Sequence, residues 1–140
     1  ADEIFLAAVR HDIGKIVLAS HAPDEFGAML EEAAATGRKL HEAERGSTSS
    51  LTHTRAGAYL LGQWGMPDAI VEAVAVHHSP WDLGLKEMEL PALIYLANAL
   101  ANQEEPRKEY LAELGVLDRL GTWRKMAEER RIQFQREQPD

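Results

Sequence analysis

Apolar residues recur at three- and four-residue intervals along most of the chain. Near the start, this spacing places Ile4, Phe5, Val9 and Ile16 on one stripe of a helix that ends before Pro23, because proline disfavours a helical residue before it. The same periodicity predicts further helices over residues 24–36, 52–64, 67–78, 91–102, 107–114 and 122–133. No segment shows the sustained alternation of a half-buried strand. The pattern therefore predicts an all-α protein.

The breaks between the helices follow ordinary turn chemistry. Gly65 suits the left-handed conformation that follows a helix end, and residues 46–50 form a polar break. Trp64 falls on the apolar face of its helix and is predicted to lie in the core. Trp81, in the loop after residue 79, either belongs to the core or covers a site.

Composition and charge restrict the possible partners. The chain has 140 residues, the size of one domain, and no cysteine, which excludes disulfides, zinc–thiolate sites and thiol nucleophiles. Its 15 basic and 23 acidic residues give a net charge of −8, which repels a phosphate backbone. The apolar runs are too short to cross a membrane, and no export leader opens the sequence. We therefore expect a cytoplasmic protein with neither a nucleic-acid nor a membrane partner.

The first candidate for chemistry is the segment His11-Asp12-Ile13-Gly14-Lys15. On a helix, Lys15 lies four residues from His11 and three from Asp12, so an imidazole, a carboxylate and an ammonium converge on one patch. Gly14 weakens a helix by about 1 kcal/mol relative to alanine. Its presence indicates a close approach by another backbone or by a ligand.

Further imidazoles stand at helix ends. His53 opens one predicted helix, and His77 and His78 close another. Together with a carboxylate, imidazoles form the ligand set of zinc, iron or manganese, and such an ion can generate a hydroxide nucleophile for phosphate esters. The two remaining histidines, His21 and His41, sit among polar residues and are predicted at the surface.

Each of these features also has a purely structural interpretation. Asp12 and Lys15 can be a helix ion pair that contributes a few tenths of a kcal/mol. His77 and His78 can cap a helix C-terminus, where positive charge is favoured. His53 taken alone is more often a hydrogen-bonded core histidine than a ligand. The spacing by itself does not establish a metal site.

The ordered set of motifs resembles a known family. The segment 11–15 resembles the HD motif of the HD-domain metal-dependent phosphohydrolases, a superfamily that includes the HD-GYP branch. The closer similarity is to the HDOD subgroup, a regulatory relative. It extends over residues 4–102 and rests on the segments 11–15, 40–44, 53, 57–61, 64–67, 70–74, 77–80 and 96–101.

The resemblance implies an HD-domain-like helical bundle, all-α, that forms the C-terminal part of an HDOD domain. We expect residues 1–103 to be the HDOD core and residues 104–140 to be a helical extension that packs on the core or flanks it. The apolar helical pattern begins at Ile4 without a cap or an initiator methionine, so we expect further N-terminal helices of such a domain to precede Ala1. Removal of an initiator methionine is the alternative explanation.

The resemblance also implies a set of site residues. Catalytic HD enzymes complete their metal shell with a histidine upstream of the HD pair and with a late aspartate. Here no histidine precedes His11, and Asn98, a weaker neutral ligand, takes the late acidic position. The implied ligands of a divalent Fe, Mn, Zn or Mg ion are His11, Asp12, His53, His77 and His78, with Asn98 as a weak replacement. Lys15 would be the catalytic residue that stabilises charge on phosphate oxygens.

The departures from the catalytic pattern favour regulation over hydrolysis. His77-His78 is followed by Ser79-Pro80 and no Gly-Tyr-Pro element occurs, so we do not expect hydrolysis of cyclic dinucleotides. We expect a non-catalytic, bacterial-type signalling module with an incomplete metal site or a ligand pocket, joined to receiver or other signalling domains. A nucleotide or phosphate ligand and an oligomeric state are both compatible with it.

Two alternatives remain open. The first is a metal-dependent phosphohydrolase that acts on nucleotides or other phosphate esters and takes its missing ligand from residues before Ala1. The second is an interaction module that binds a partner through the charged helix from Thr122 onward.

Overall fold

The chain folds into helices joined by short turns. The computed structural model describes residues 2–47 and 51–137, and no strand occurs within them. The helices are α1 (Asp2–Arg10), α2 (Ile13–His21), α3 (Pro23–Thr36), α4 (Leu40–Gly46), α5 (His53–Gln63), α6 (Asp68–Val76), α7 (Leu90–Ala101), α8 (Lys108–Glu113) and α9 (Leu120–Glu137). Short 3₁₀ helices span Pro80–Leu83 and Leu117–Arg119. The all-α prediction is confirmed, and of the predicted polar break at 46–50, residues 48–50 lie outside the described residues.

Two hydrophobic clusters hold the helices together. The first joins α1, α5, α6 and α7 through Ala7, Leu61, Ile70, Ala73, Val74 and Ile94. The second joins α7, α8 and α9 through Leu96, Leu111 and Leu120. Each fully buried branched side chain in these clusters contributes about 1.5 to 3 kcal/mol relative to an exposed one.

The N-terminal apolar stripe is interrupted. The sequence predicts one helix up to Pro23, but α1 ends at Arg10 and α2 begins at Ile13, with Asp12 between them. Aspartate competes with helical hydrogen bonds through its side chain, and here that carboxylate is bound to Lys15. The break changes which residues face inward: Ala7 and Leu18 are buried, whereas Phe5, Val9 and Ile16 are exposed.

Trp64 and Trp81 lie near turns, in different environments. Trp64, predicted in the core, is 56% exposed because α5 ends at Gln63 and the helical periodicity stops there. Gly65 adopts the left-handed conformation expected of it, with φ of 69°. Trp81 packs edge-on against Tyr95 and Tyr110, with ring centroids 5.5 and 5.7 Å away, and so takes part in the packing of the bundle.

Two glycines let α2 and α5 touch through their backbones. A Cβ atom on Gly14 would lie 1.7 Å from the carbonyl oxygen of His53, and one on Gly57 would lie 3.1 Å from the amide nitrogen of Gly14. The close approach predicted from Gly14 is therefore made by the backbone of α5. This contact brings the turn that carries Asp12 onto the first turn of α5, where His53 stands.

Candidate metal centre

Four side chains from three separate turns converge at one end of the bundle. Asp12 comes from the turn between α1 and α2, His53 from the start of α5, and His77 and His78 from the residues directly after α6. One ligand atom from each lies within 4.8 Å of the corresponding atoms of the others. We call Asp12, His53, His77 and His78 the His/Asp cluster.

Hydrogen bonds outside the cluster orient two of the imidazoles. His53 is fully buried, and its Nδ1 donates to a carboxylate oxygen of Glu44 at 2.7 Å. His77 is also fully buried, and its Nδ1 donates to the carbonyl oxygen of Val74 at 2.8 Å. Because a carboxylate and a carbonyl only accept, each of these rings in its neutral form carries its proton on Nδ1 and presents an Nε2 lone pair to the cluster.

The two Nε2 lone pairs face each other without a proton between them. Nε2 of His53 lies 3.4 Å from Nε2 of His77 and 3.1 Å from Nε2 of His78. Two acceptors this close repel each other unless a cation or a donor stands between them. When all three rings are neutral, only His78 is able to donate from Nε2.

Asp12 completes the ring of acceptors. Its Oδ1 lies 3.5 Å from Nε2 of His53 and 3.7 Å from Nε2 of His77, while its Oδ2 binds the ammonium of Lys15 at 2.6 Å. Oδ1 is buried and has no hydrogen-bond partner within the described part of the chain. Burial alone would raise the pKa of Asp12, but the hydrogen bond from Lys15 and the positive charges of Lys15 and His11 hold it well below its usual range.

His78 is kept neutral by its surroundings. Burial, together with the neighbouring His77, His41 and His53, lowers the pKa of His78 to about 2. His41, predicted at the surface, is half-buried and stacks on His78 with ring centroids 4.0 Å apart. Burial lowers the pKa of His41 as well. A neutral imidazole is the form that binds a metal, so these shifts favour a ligand role for His78.

The donor set suits a divalent transition-metal ion. Three imidazole nitrogens and one carboxylate oxygen are ligands that zinc, iron and manganese accept. Bonds of about 2.0 to 2.2 Å place donor atoms at most about 4.4 Å apart, so only small side-chain movements separate this arrangement from a closed shell. The unpartnered Oδ1 of Asp12 and the facing Nε2 atoms are the groups that such an ion would satisfy.

The cluster opens onto a cavity of about 230 Å³. Its lining includes Lys15, Lys39 and Asn98 beside three cluster residues, Asp12, His53 and His78. Both lysines are already paired, Lys15 with Asp12 at 2.6 Å and Lys39 with Glu104 at 2.8 Å. The side-chain oxygen of Asn98 accepts from the side-chain amide nitrogen of Asn102 at 2.8 Å.

The other predicted ligands lie around the cluster. His11 stands beside it, with Nε2 3.5 Å from Oδ2 of Asp12 and its ring edge-on to His77. Asn98 reaches the same cavity from α7. His21 is exposed, as expected.

No role in the site was predicted from the sequence for two of its residues, Glu44 and His41. Both lie in the segment 40–44, which matches the family pattern, but its spacing gives neither residue a role.

A family model matches the part of the chain that carries the cluster. The family model of the HDOD domain matches residues 1–80, more than half of the chain. The chain belongs to the HDOD family. No curated protein and no solved structure matches it. All four residues of the His/Asp cluster fall within the matched segment of this HDOD domain, whereas Asn98 lies beyond it.

Proposed function

We propose that this chain is a regulatory HDOD domain whose His/Asp cluster holds one divalent transition-metal ion without hydrolysing phosphate esters. The observation that carries the proposal is the set of converging acceptors, in which His53 and His77 have no proton to give each other and Oδ1 of Asp12 has no donor within the described residues. An ion bound there would join the α1–α2 turn, α5 and the end of α6. Iron, manganese and zinc fit these ligands better than magnesium, which prefers oxygen.

Three features support regulation rather than turnover. Asp12 is the single anion of the cluster, and Asn98 stands at the late acidic position. Lys15, the predicted catalytic cation, is bound to Asp12. The HDOD subgroup is itself a regulatory relative of the HD enzymes.

The test combines metal binding with an activity assay. We expect the protein, stripped with a chelator, to bind about one Zn²⁺ or Mn²⁺ per chain and to unfold at higher temperature when loaded, since a ligand at 100 times its Kd adds about 2.7 kcal/mol. His53→Ala should abolish this shift, whereas His21→Ala, which changes an exposed histidine outside the cluster, should retain it. A wild-type protein that binds no divalent ion would contradict the proposal.

A phosphohydrolase is the second candidate function, and the cavity in front of the cluster favours it. A bound ion lowers the pKa of coordinated water and polarises phosphate oxygens. Lys15 and Lys39 line the same cavity, where a phosphate ester would meet them. Turnover of nucleotides or of p-nitrophenyl phosphate by the metal-loaded protein, lost in Asp12→Asn, would establish this activity and overturn the regulatory proposal.

We also propose a setting for the domain. Residues 1–103 form the HDOD core, and residues 104–140 form a helical extension through which receiver or other signalling domains bind in the cytoplasm. Exposed apolar side chains on α9, Met126 and Phe134, support a contact there. No helix in the described ranges is long and apolar enough to cross a membrane. Light scattering of the full chain and of a chain ending at Gly121, each mixed with a receiver domain, tests whether α9 is required.

A further inference from the structure

A buried carboxylate stands directly behind the His/Asp cluster. Glu44, near the end of α4, is only 1% exposed. Its Oε2 accepts from Nδ1 of His53 at 2.7 Å, and its Oε1 accepts from the backbone amide of the same residue at 3.0 Å. Both oxygens of one acid therefore bind a single residue, once at the ring and once at the backbone.

Burying the Glu44 carboxylate costs folding free energy, so its two hydrogen bonds to His53 require an explanation. Burying a carboxylate is unfavourable without compensating hydrogen bonds or charge, and an apolar side chain would fill the same space at less cost. At the start of α5, Thr52 accepts from the amide of Arg55 and Glu44 accepts from the amide of His53, a bond that a neutral glutamine could also make. The contact that has no other explanation is the one with the His53 ring.

The ring contact decides which nitrogen of His53 faces the cluster. With Glu44 accepting from Nδ1, the neutral ring must leave Nε2 unprotonated, and Nε2 is the atom that points towards Asp12, His77 and His78. A glutamine at this position can keep the backbone bond through its oxygen. Its amide nitrogen would then face Nδ1 as a donor, which favours the tautomer with a proton on Nε2, inside the cluster.

We propose that Glu44 is a positioning residue for the metal ion: it holds the His53 ring in the tautomer and orientation that present Nε2 as a ligand. The proposal rests on the metal-binding function proposed above. Carboxylates that orient ligating histidines in this way raise the basicity of the ligand.

The experiment compares Glu44→Gln with the wild-type protein. Zn²⁺ affinity, measured by competition with a chromophoric chelator, should fall by about 10- to 100-fold in Glu44→Gln. Glu42→Gln changes an exposed acid of the same helix that contacts the backbone amide of Lys39, and it should leave the affinity unchanged. Two-dimensional ¹⁵N NMR of the metal-free wild-type protein should show the His53 proton on Nδ1, a reading that does not require Glu44→Gln to fold.

The outcomes separate this inference from the proposed function. A metal-free wild-type protein with the His53 proton on Nε2 overturns the role of Glu44, and so does a folded Glu44→Gln protein that binds Zn²⁺ within about twofold of wild type. A wild-type protein that binds no Zn²⁺ overturns the metal-binding function itself. Weakened binding in Glu44→Gln together with an Nδ1 proton in the wild-type protein supports both.

Discussion

The backbone contact between α2 and α5 makes Gly14→Ala the sharpest test of the fold. A Cβ atom at this position would lie 1.7 Å from the carbonyl oxygen of His53, 2.6 Å from its carbonyl carbon and 2.7 Å from the amide nitrogen of Gly57. Ordinary contacts of a Cβ atom begin at 3.4 Å. All three obstacles are backbone atoms, so no rotamer change relieves the overlap and the two helices must separate.

Two opposing effects set the magnitude. Alanine is favoured over glycine in a helix by about 1 kcal/mol. Overpacking in a core costs about 1 to 3 kcal/mol and occasionally more, and we take a clash of backbone with backbone, where no side chain can move aside, as about 4 kcal/mol. We expect Gly14→Ala to lower the free energy of unfolding by about 3 kcal/mol, a large part of the roughly 5 to 15 kcal/mol that holds a domain together.

The same displacement should weaken the metal centre. Gly14 lies two residues from Asp12, and its contact is with His53, so separating α2 from α5 pulls two residues of the cluster apart. The assays are thermal and urea unfolding followed by circular dichroism, and Zn²⁺ titration of any folded fraction. At about 3 to 5 °C per kcal/mol for a chain of this size, the melting temperature should fall by about 10 °C.

The matched control is Gly27→Ala. Gly27 lies within α3, and a Cβ atom there would meet nothing within 4 Å, so helix propensity should raise the stability by up to about 1 kcal/mol. The steric argument is refuted if Gly14→Ala melts within about 2 °C of wild type and binds Zn²⁺ as tightly.

Three further predictions concern single contacts, each read by chemical unfolding of the metal-free protein. Tyr110→Phe should be neutral or stabilising, because the buried Tyr110 hydroxyl has no hydrogen-bond partner among the described residues. Tyr95→Phe should lower the free energy of unfolding by about 1 kcal/mol, since the Tyr95 hydroxyl accepts from the backbone amide of Arg107 at 2.7 Å. Thr52→Ala should cost about 1 kcal/mol by removing the N-cap of α5, and an unchanged midpoint would contradict this. Stability should fall as the pH drops below about 6.5, because His78 takes up a proton when unfolded but not when folded with a pKa of about 2. His78→Gln should flatten this acid limb, whose slope from one proton is at most about 1.4 kcal/mol per pH unit, and an unchanged slope would exclude His78 as its source.

The sequence predicts helices well and their faces less well. Helical periodicity locates α3, α5, α6 and α7 to within a residue or two, because local spacing and the proline and glycine breaks act over a single turn. It fails at α1 and α2, where the same spacing runs through Asp12 without a gap. The break there depends on Lys15 and on the packing of Gly14 against α5, and periodicity carries no information about the second of these.

The candidate site, like the fold, is only partly predictable from the sequence. The residue types, an HD pair and three further histidines, already point to metal chemistry, and the ordered motifs identify the family. The contacts of Glu44 and His41 were not predictable, since Glu44 lies nine residues before His53 and His41 stacks on a ring from the far end of α6. Such pairs meet only when separate helices pack.

Sequence alone therefore determined the helical class, the exclusion of thiol chemistry, the family and the identity of all four cluster residues, because these follow from composition, local periodicity and motif order. The tertiary structure decided which imidazoles share one space, which nitrogen each of them presents and which carboxylate lies behind His53. Which nitrogen of a histidine carries the proton depends on the partner of its other nitrogen. For His53 that partner, Glu44, comes from another helix and is positioned by packing across the bundle, so the residues next to His53 in the chain do not determine it.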